Sequence, residues 1–412
     1  MKLGSIVLIL AALVFSPSAS PQVSSTSPRA ITVGDYFQIL GVHDPQLSPD
    51  GQWVAYAVDK STLKTDKNET RIWMIPSAGG DPLPMTAEGV SSSHPRWSPD
   101  GKYLAFLSER GDGQTQVWLL NRLGGEAQQL TDTVQDVEDF SWSPDSRRLV
   151  LVLRDPSPEE LAAAKEKSAS AAHSSPVADD DSTDNDQDKD QDKKPKSKKP
   201  WVIDRLQFKV DEVGYLDRRR THLYVFDLSK KSLTQITSGD YDDSEPAWSP
   251  DSKLLAFTSN RSTPDPDLTY NSDIWIVSAN NTDKGAHLTQ VTTTPGSDTS
   301  PAWSPDGKSI AYVTQLDPKL FDYATRHLAI SPATGGPAKV LTLSLDRNVY
   351  TPHFSPDGKS VYFIVDDDGT QNLAQVNFGD GQQGARPLPG RVMVSAYSVG
   401  NGANGNIAAQ VA

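Results

Sequence analysis

Trp303-Ser304-Pro305-Asp306-Gly307-Lys308-Ser309-Ile310-Ala311-Tyr312 is one copy of a stretch that recurs along the chain. Its turn returns as Ser48-Pro49-Asp50-Gly51, Ser98-Pro99-Asp100-Gly101, Ser143-Pro144-Asp145-Ser146, Ser249-Pro250-Asp251-Ser252 and Ser355-Pro356-Asp357-Gly358. The leading serines lie 50, 45, 106, 55 and 51 residues apart. A period of this size marks a repeat architecture. Proline pre-sets φ for a turn, Ser and Asp hydrogen-bond the local backbone, and Gly tolerates the exit geometry. An aromatic precedes most copies (Trp97, Trp142, Trp248, Trp303, Phe354), and an apolar run such as Leu104-Ala105-Phe106-Leu107 follows. The turn therefore joins two strands, with the aromatic packed on the run. Each Asp is a turn residue rather than a catalytic acid.

Working outward, a third strand follows in each unit, as in Ile72-Trp73-Met74-Ile75, Val117-Trp118-Leu119-Leu120 and Ile274-Trp275-Ile276-Val277. A fourth closes most units, as in Gln129-Leu130-Thr131 and Gln290-Val291-Thr292. Gly79-Gly80, Gly124-Gly125 and Gly335-Gly336 stand between strands three and four, where a hairpin turn is needed. Four antiparallel strands per repeat predict an all-β fold, a β-propeller of four-stranded antiparallel blades, six complete plus a partial seventh. One such sheet cannot bury both faces, so neighbouring blades stack in a ring. The first blade is expected from about Asp44 to Thr86, after a short helix near Asp35–Leu40. The partial seventh is expected in Val392–Val399 and Ile407–Val411. Its open strand edges, which native proteins normally cover, point to a chain cut before its natural end. Whether the ring closes on six or seven blades stays open.

The spacing of 106 residues reflects an insert within blade three. Residues 154–200 contain Pro158–Lys165, a possible short helix, then eight aspartates from Asp179 to Asp192 and five lysines from Lys193 to Lys199. Such a composition buries too little apolar surface to offset ordering entropy, so residues 154–200 are expected to be a disordered charged insert. The alternating Asp186, Asp188, Asp190 and Asp192 lack the Gly and the closing Glu of a calcium loop. Arg218-Arg219-Arg220 reads as a salt-bridged rim, with an anion site as the alternative.

The chain has 412 residues and a net charge of −14, which argues against a nucleic-acid partner. It has no cysteine, which excludes disulfides, a thiolate nucleophile and thiolate metal ligands. Its seven histidines show no ligand spacing, so no metal and no cofactor are expected. Lys2, the apolar run Leu3–Phe15 and the small residues Ser16-Pro17-Ser18-Ala19-Ser20 predict a signal peptide over 1–19, followed by a disordered linker over 20–30. The run is short for a membrane span, and no other stretch is a candidate. The expected location is periplasmic or secreted.

The less regular segments carry a resemblance. They include Ile203-Asp204-Arg205-Leu206-Gln207-Phe208-Lys209, Gly214–Tyr224, Gly239-Asp240-Tyr241-Asp242-Asp243 through Ala247-Trp248-Ser249-Pro250-Asp251, and Ala256–Arg261 through Tyr270-Asn271-Ser272-Asp273-Ile274-Trp275. With these, residues 31–412 resemble the N-terminal propeller of the prolyl oligopeptidase family of serine peptidases, and are similar to its bacterial acylaminoacyl-peptidase and dipeptidyl-peptidase-like branch. The resemblance implies a propeller that caps a C-terminal α/β-hydrolase domain, restricts access to peptide substrates, and contributes to the cavity between the domains. The Gly-x-Ser-x-Gly elbow that exposes such a nucleophile is absent from this chain. Gly296-Ser297-Asp298 and Ser398-Val399-Gly400 do not fit it, and no alternating βαβ region follows. No catalytic residue is therefore assigned, the hydrolase domain is expected to be missing from this chain, and the substrate-binding residues are unknown. Two other functions remain open. One is a stand-alone TolB-like propeller that docks a periplasmic protein partner. The other is an enzyme with convergent acidic or histidine groups in its central channel.

Overall fold

The computed structural model describes residues 29–63, 67–111, 113–173, 202–211, 213–269, 271–320, 323–377, 393–400 and 406–411. The expected signal peptide, most of the linker, and residues 174–200 of the insert lie outside them. Among the described residues the strands form five four-stranded sheets, one three-stranded sheet and two two-stranded sheets, one of them the small hairpin of Lys209–Val210 and Gly214–Tyr215. Each blade is a consecutive antiparallel meander, with the first strand innermost: residues 40–84, 92–129, 137–235, 243–290 and 298–340 for the first five, and 349–377 for the sixth. The position expected for the sixth blade's fourth strand lies outside the described residues. The other two-stranded sheet, Val394–Val399 with Ile407–Val411, occupies the place expected for the partial seventh blade. Ser398 Oγ accepts a hydrogen bond from the Leu47 N–H at 2.9 Å, so this sheet also packs against the first blade.

The repeated turn works the same way six times. In Ser304-Pro305-Asp306-Gly307, the Ser304 hydroxyl donates to Asp306 Oδ1 (2.7 Å) and accepts from the Ser309 N–H (2.9 Å). Asp306 Oδ1 also accepts from the Lys308 N–H at 3.1 Å. The positions around Ser48, Ser98, Ser143, Ser249 and Ser355 repeat this network. The Asp carboxylates are thus held by the turn they define, as their turn role requires. At the other end of each of the first five blades, a fourth-strand Thr hydroxyl accepts a third-strand N–H: Thr86, Thr131, Thr237, Thr292 and Thr342.

The aromatic before the turn does more than pack on its own hairpin. The Trp97, Trp142, Trp248 and Trp303 indoles donate to carbonyls of the preceding blade's inner strand, at Gln46, Arg96, Ser141 and Ala247, over 3.0–3.3 Å. The core is correspondingly divided. Each apolar cluster lies between two adjacent blades, as Ile274, Ile276, Ile310 and Tyr312 do between the fourth and fifth. Burying one such side chain contributes about 1.5–3 kcal/mol, so stacking of neighbours is what stabilises the ring.

Three boundaries differ from expectation. The first helix is Val33–Tyr36, started at Thr32 by a capping box in which the Asp35 carboxylate accepts from the Thr32 N–H, and the first blade opens at Leu40. The excursion in blade three is not disordered throughout: Pro158–His173 is helical, twice the length expected. Its Ala-rich run favours helix. The Ser157 hydroxyl accepts from the Glu160 N–H at its start (3.1 Å).

Candidate functional site

A cavity of about 860 Å³ opens on the rim where the blade-three excursion crosses the fourth and fifth blades. One wall is the segment Leu206–Val210, and the other walls come from Ser262, Thr263, residues 267–269, Asn271, residues 295–297, Gln315, Asp317 and Pro318. Leu206, Phe208, Val210 and Leu268 are exposed at its mouth. Phe208 stacks on Tyr215 across the short hairpin of Lys209–Val210 and Gly214–Tyr215, with centroids 6.5 Å apart. Two buried oxygens on the fourth-blade side, Thr269 Oγ1 and Asn271 Oδ1, have no hydrogen-bond partner among the described residues. An apolar, concave site with a few convergent polar groups is what a ligand pocket requires.

This wall is fixed by buried charge. Arg205 meets Asp267 in a two-pronged pair, Nη2 to Oδ1 at 2.6 Å and Nε to Oδ2 at 2.9 Å, with both side chains almost fully buried. Arg205 also donates to the Asp217 carbonyl at 2.6 Å. Burial pushes the Asp267 carboxyl up, but the hydrogen bonds and charge of Arg205, with the charge of Arg220, outweigh it and hold the group below its ordinary range. The Arg218-Arg219-Arg220 triplet takes the salt-bridged alternative. Arg218 pairs with Asp204 (2.8 Å), Arg219 with Asp217 (2.7 Å), and the buried Arg220 with Asp240 and Asp242 (3.0 and 2.9 Å).

A second concavity, about 970 Å³, is the central channel between the inner strands. Asp44, His94, Glu245, Ser300 and Thr351 each sit at a bulge in an inner strand with φ of 51–56°. Each precedes a proline, which disfavours the right-handed helical region for the residue before it. Glu245, Ser300 and Thr351 line the channel, and the Asp44 and His94 bulges gather charge beside it. Arg96 Nη1 lies 2.7 Å from Asp44 Oδ2, and His94 Nε2 lies 2.8 Å from Asp139 Oδ1. Burial pushes the Asp139 carboxyl up, yet His94 and Arg96 hold it down. The acidic and histidine groups thus converge, in an ion-paired cluster. The recurring X-Pro dipeptide of the inner strands (Asp44-Pro45, His94-Pro95, Glu245-Pro246, Ser300-Pro301, Thr351-Pro352) is the signal that marks these positions in the sequence.

Gly296-Ser297-Asp298 leads into the inner strand of the fifth blade, and Ser398-Val399-Gly400 lies at the end of the Val394–Val399 strand, beside Leu47. Among the described residues, no histidine lines the rim cavity beside Ser262 or Ser297.

No protein-family model matches the chain. Over 250 residues it is 30% identical to an uncharacterized peptidase of Bacillus subtilis, YuxL, a match that takes in 60% of this chain and 34% of that protein. It is 25% identical over 390 residues to dipeptidyl-peptidase 5 of Porphyromonas gingivalis, across 91% of this chain and 52% of that one. Among solved structures, the acylaminoacyl peptidase of Pyrococcus horikoshii superposes with a TM-score of 0.62 at 17% identity, covering 89% of this chain and 48% of that one. At that identity the shared property is the fold. The sequence is similar to part of two bacterial peptidases, and the fold resembles the propeller portion of a prolyl oligopeptidase-type peptidase. The chain spans from a third to about half the length of the curated relatives it matches. Among the described residues, no helix is long and apolar enough to cross a membrane.

Proposed function

We propose that this chain is the substrate-gating propeller of an exported serine peptidase that acts on peptides in the manner of a dipeptidyl or acylaminoacyl peptidase, with the catalytic triad carried by an α/β-hydrolase domain outside these residues. The observation that carries this is the match over 91% of the chain to half of a dipeptidyl-peptidase. The rim cavity supports it: apolar walls beside buried, unpartnered oxygens suit a side chain and backbone of an extended peptide. Export rests on the apolar run Leu3–Phe15 and the small residues after it.

The experiment uses the full-length gene product. Its cleavage of chromogenic dipeptide and acyl-amino-acid substrates is compared with its cleavage of an unfolded protein of some 100 residues. Gating predicts turnover of the short substrates and a near-complete block of the long one. Equal cleavage of both overturns the gating role. Absence of a Gly-x-Ser-x-Gly segment in the downstream reading frame overturns the peptidase assignment.

A further inference from the structure

In the fourth blade the second strand, Leu254–Ser259, runs on to Arg261, whose guanidinium lies over the Phe257 ring, 5.9 Å from its centroid. There it is answered by acid. Arg261 Nη2 lies 2.7 Å from Asp243 Oδ2, and Nε donates to Asp243 Oδ1 (3.1 Å) and Ser259 Oγ (3.0 Å). Asp243 is the register partner of Ser259 on the inner strand. The second blade repeats this arrangement with one change. Its second strand, Tyr103–Ser108, runs on to Arg110, which lies 5.5 Å from the Phe106 centroid and 5.4 Å from that of Trp118. Ser108 takes the place of Ser259, but its register partner on the inner strand is Ser92 in place of an aspartate. The second blade keeps the cation and its aromatic seat, and lacks the acid.

Among the described residues, Arg110 forms no ion pair, and its buried Nε has no hydrogen-bond partner. A buried donor left unanswered is costly, more so on a charged group. Arg110 lines a cavity of about 390 Å³, a size that suits a small ligand. Three glutamines of the wall are already committed. Gln114 donates to the Val134 carbonyl, Gln116 to the Thr133 carbonyl (3.2 Å) and Gln129 to the Thr131 carbonyl (2.8 Å). They form a neutral wall that holds its shape without neutralising Arg110. At Gly111 (φ 83°) an added Cβ would meet nothing within 4 Å, so the cavity is open on that side. Acid in the described lining is confined to the exposed Asp132.

We propose that this cavity binds a carboxylate, which the Arg110 guanidinium takes in the role that Asp243 fills for Arg261. A planar guanidinium held on aromatic faces presents a fork that matches the two oxygens of a carboxylate. One cation, with Asp132 lining the same cavity, balances a single negative charge and disfavours a phosphate dianion. The ligand class is therefore a monocarboxylate, either a small organic acid or the C-terminal carboxylate of a peptide. The site is independent of the proposed peptidase role, because it rests on Arg110 in the second blade and on nothing in the rim cavity of the fourth and fifth.

The test is calorimetric titration of the purified chain with acetate, tri-alanine, tri-alanine amide and inorganic phosphate. Tri-alanine is expected to bind at least about tenfold more tightly than its amide, which lacks the carboxylate. Tri-alanine binding tighter than acetate assigns the site to peptide C-termini, and the reverse assigns it to small acids. Arg110→Gln should weaken the carboxylate by at least about tenfold while still unfolding cooperatively, since Arg110 is partly exposed. Ser92→Asp restores the acid of the fourth blade and should exclude the ligand from within the chain; if that variant does not fold, Arg110→Gln decides alone. The site is overturned if neither acetate nor tri-alanine binds, if tri-alanine and its amide bind equally, if phosphate binds more tightly than both carboxylates, or if Arg110→Gln retains the affinity.

Discussion

A methyl group at position 296 would sit 1.8 Å from the Gln315 carbonyl oxygen. No side chain is admitted there, because the strand that enters the fifth blade passes directly over the neighbouring backbone. Gly296→Ala is therefore expected to cost about 2–4 kcal/mol, read as a lower urea midpoint at unchanged slope. Arg205 is the second residue on which the rim depends. Its removal strands Asp267, a buried carboxylate, with only the more distant Arg220 (3.6 Å) as a counter-charge. Arg205→Met should cost about 3 kcal/mol, and Asp267→Asn in the same chain should recover part of the loss, a coupling that a double-mutant cycle measures. Neither role is visible in the local sequence. Gly296-Ser297-Asp298 is informative there only by failing the nucleophile pattern, and Arg205 meets Asp267 only because the excursion folds back across the fourth blade.

At the scale of the element, the unit is the hairpin with its aromatic. The sixth blade carries Phe354 where four others carry Trp, so the ring tolerates loss of one indole donor. Trp303→Phe is expected to cost about 1 kcal/mol for the lost bond to the Ala247 carbonyl, measured by denaturant unfolding. The junction of the fourth and fifth blades behaves differently. Burial, reinforced by the neighbouring Asp298 charge, pushes Asp273 up to about 6. The folded group then binds its proton more tightly than the unfolded one, so this aspartate destabilises the fold above that pKa and ceases to do so below about pH 4. Stability should fall by up to about 3 kcal/mol as pH rises from 4 to 7. In Asp273→Asn this dependence should vanish; an unchanged pH profile would contradict it. The hairpins and the Thr of the fourth strand are legible from sequence because their partners lie within a few residues. The junction pairs are not, since each partner belongs to a different blade.

For the whole molecule, the decisive feature is that no blade is stable alone. The apolar clusters straddle junctions, and the sheet of Val394–Val399 and Ile407–Val411 packs Val394 and Tyr397 against the sixth blade while bonding to Leu47 of the first. Deleting residues 394–411 should lower the thermal midpoint by about 10 °C or more, since it removes several buried apolar side chains worth about 2–4 kcal/mol each and leaves the first blade's inner edge open. Calorimetry would detect it; an unchanged midpoint would mean that the ring does not depend on this sheet.

The amino-acid sequence determined the order and strand content of the repeats, and placed the excursion within blade three. It could do so because turn chemistry and strand alternation act over a few residues and are repeated. Tertiary structure alone decided which polar groups meet: the indole bridges, the channel cluster at the bulged X-Pro positions, the rim cavity fixed by Arg205 and Asp267, and the neighbouring pair Asp273 and Asp298. These depend on the closure of the ring, which sets the distance between charges on separate blades and removes the water that would otherwise screen them.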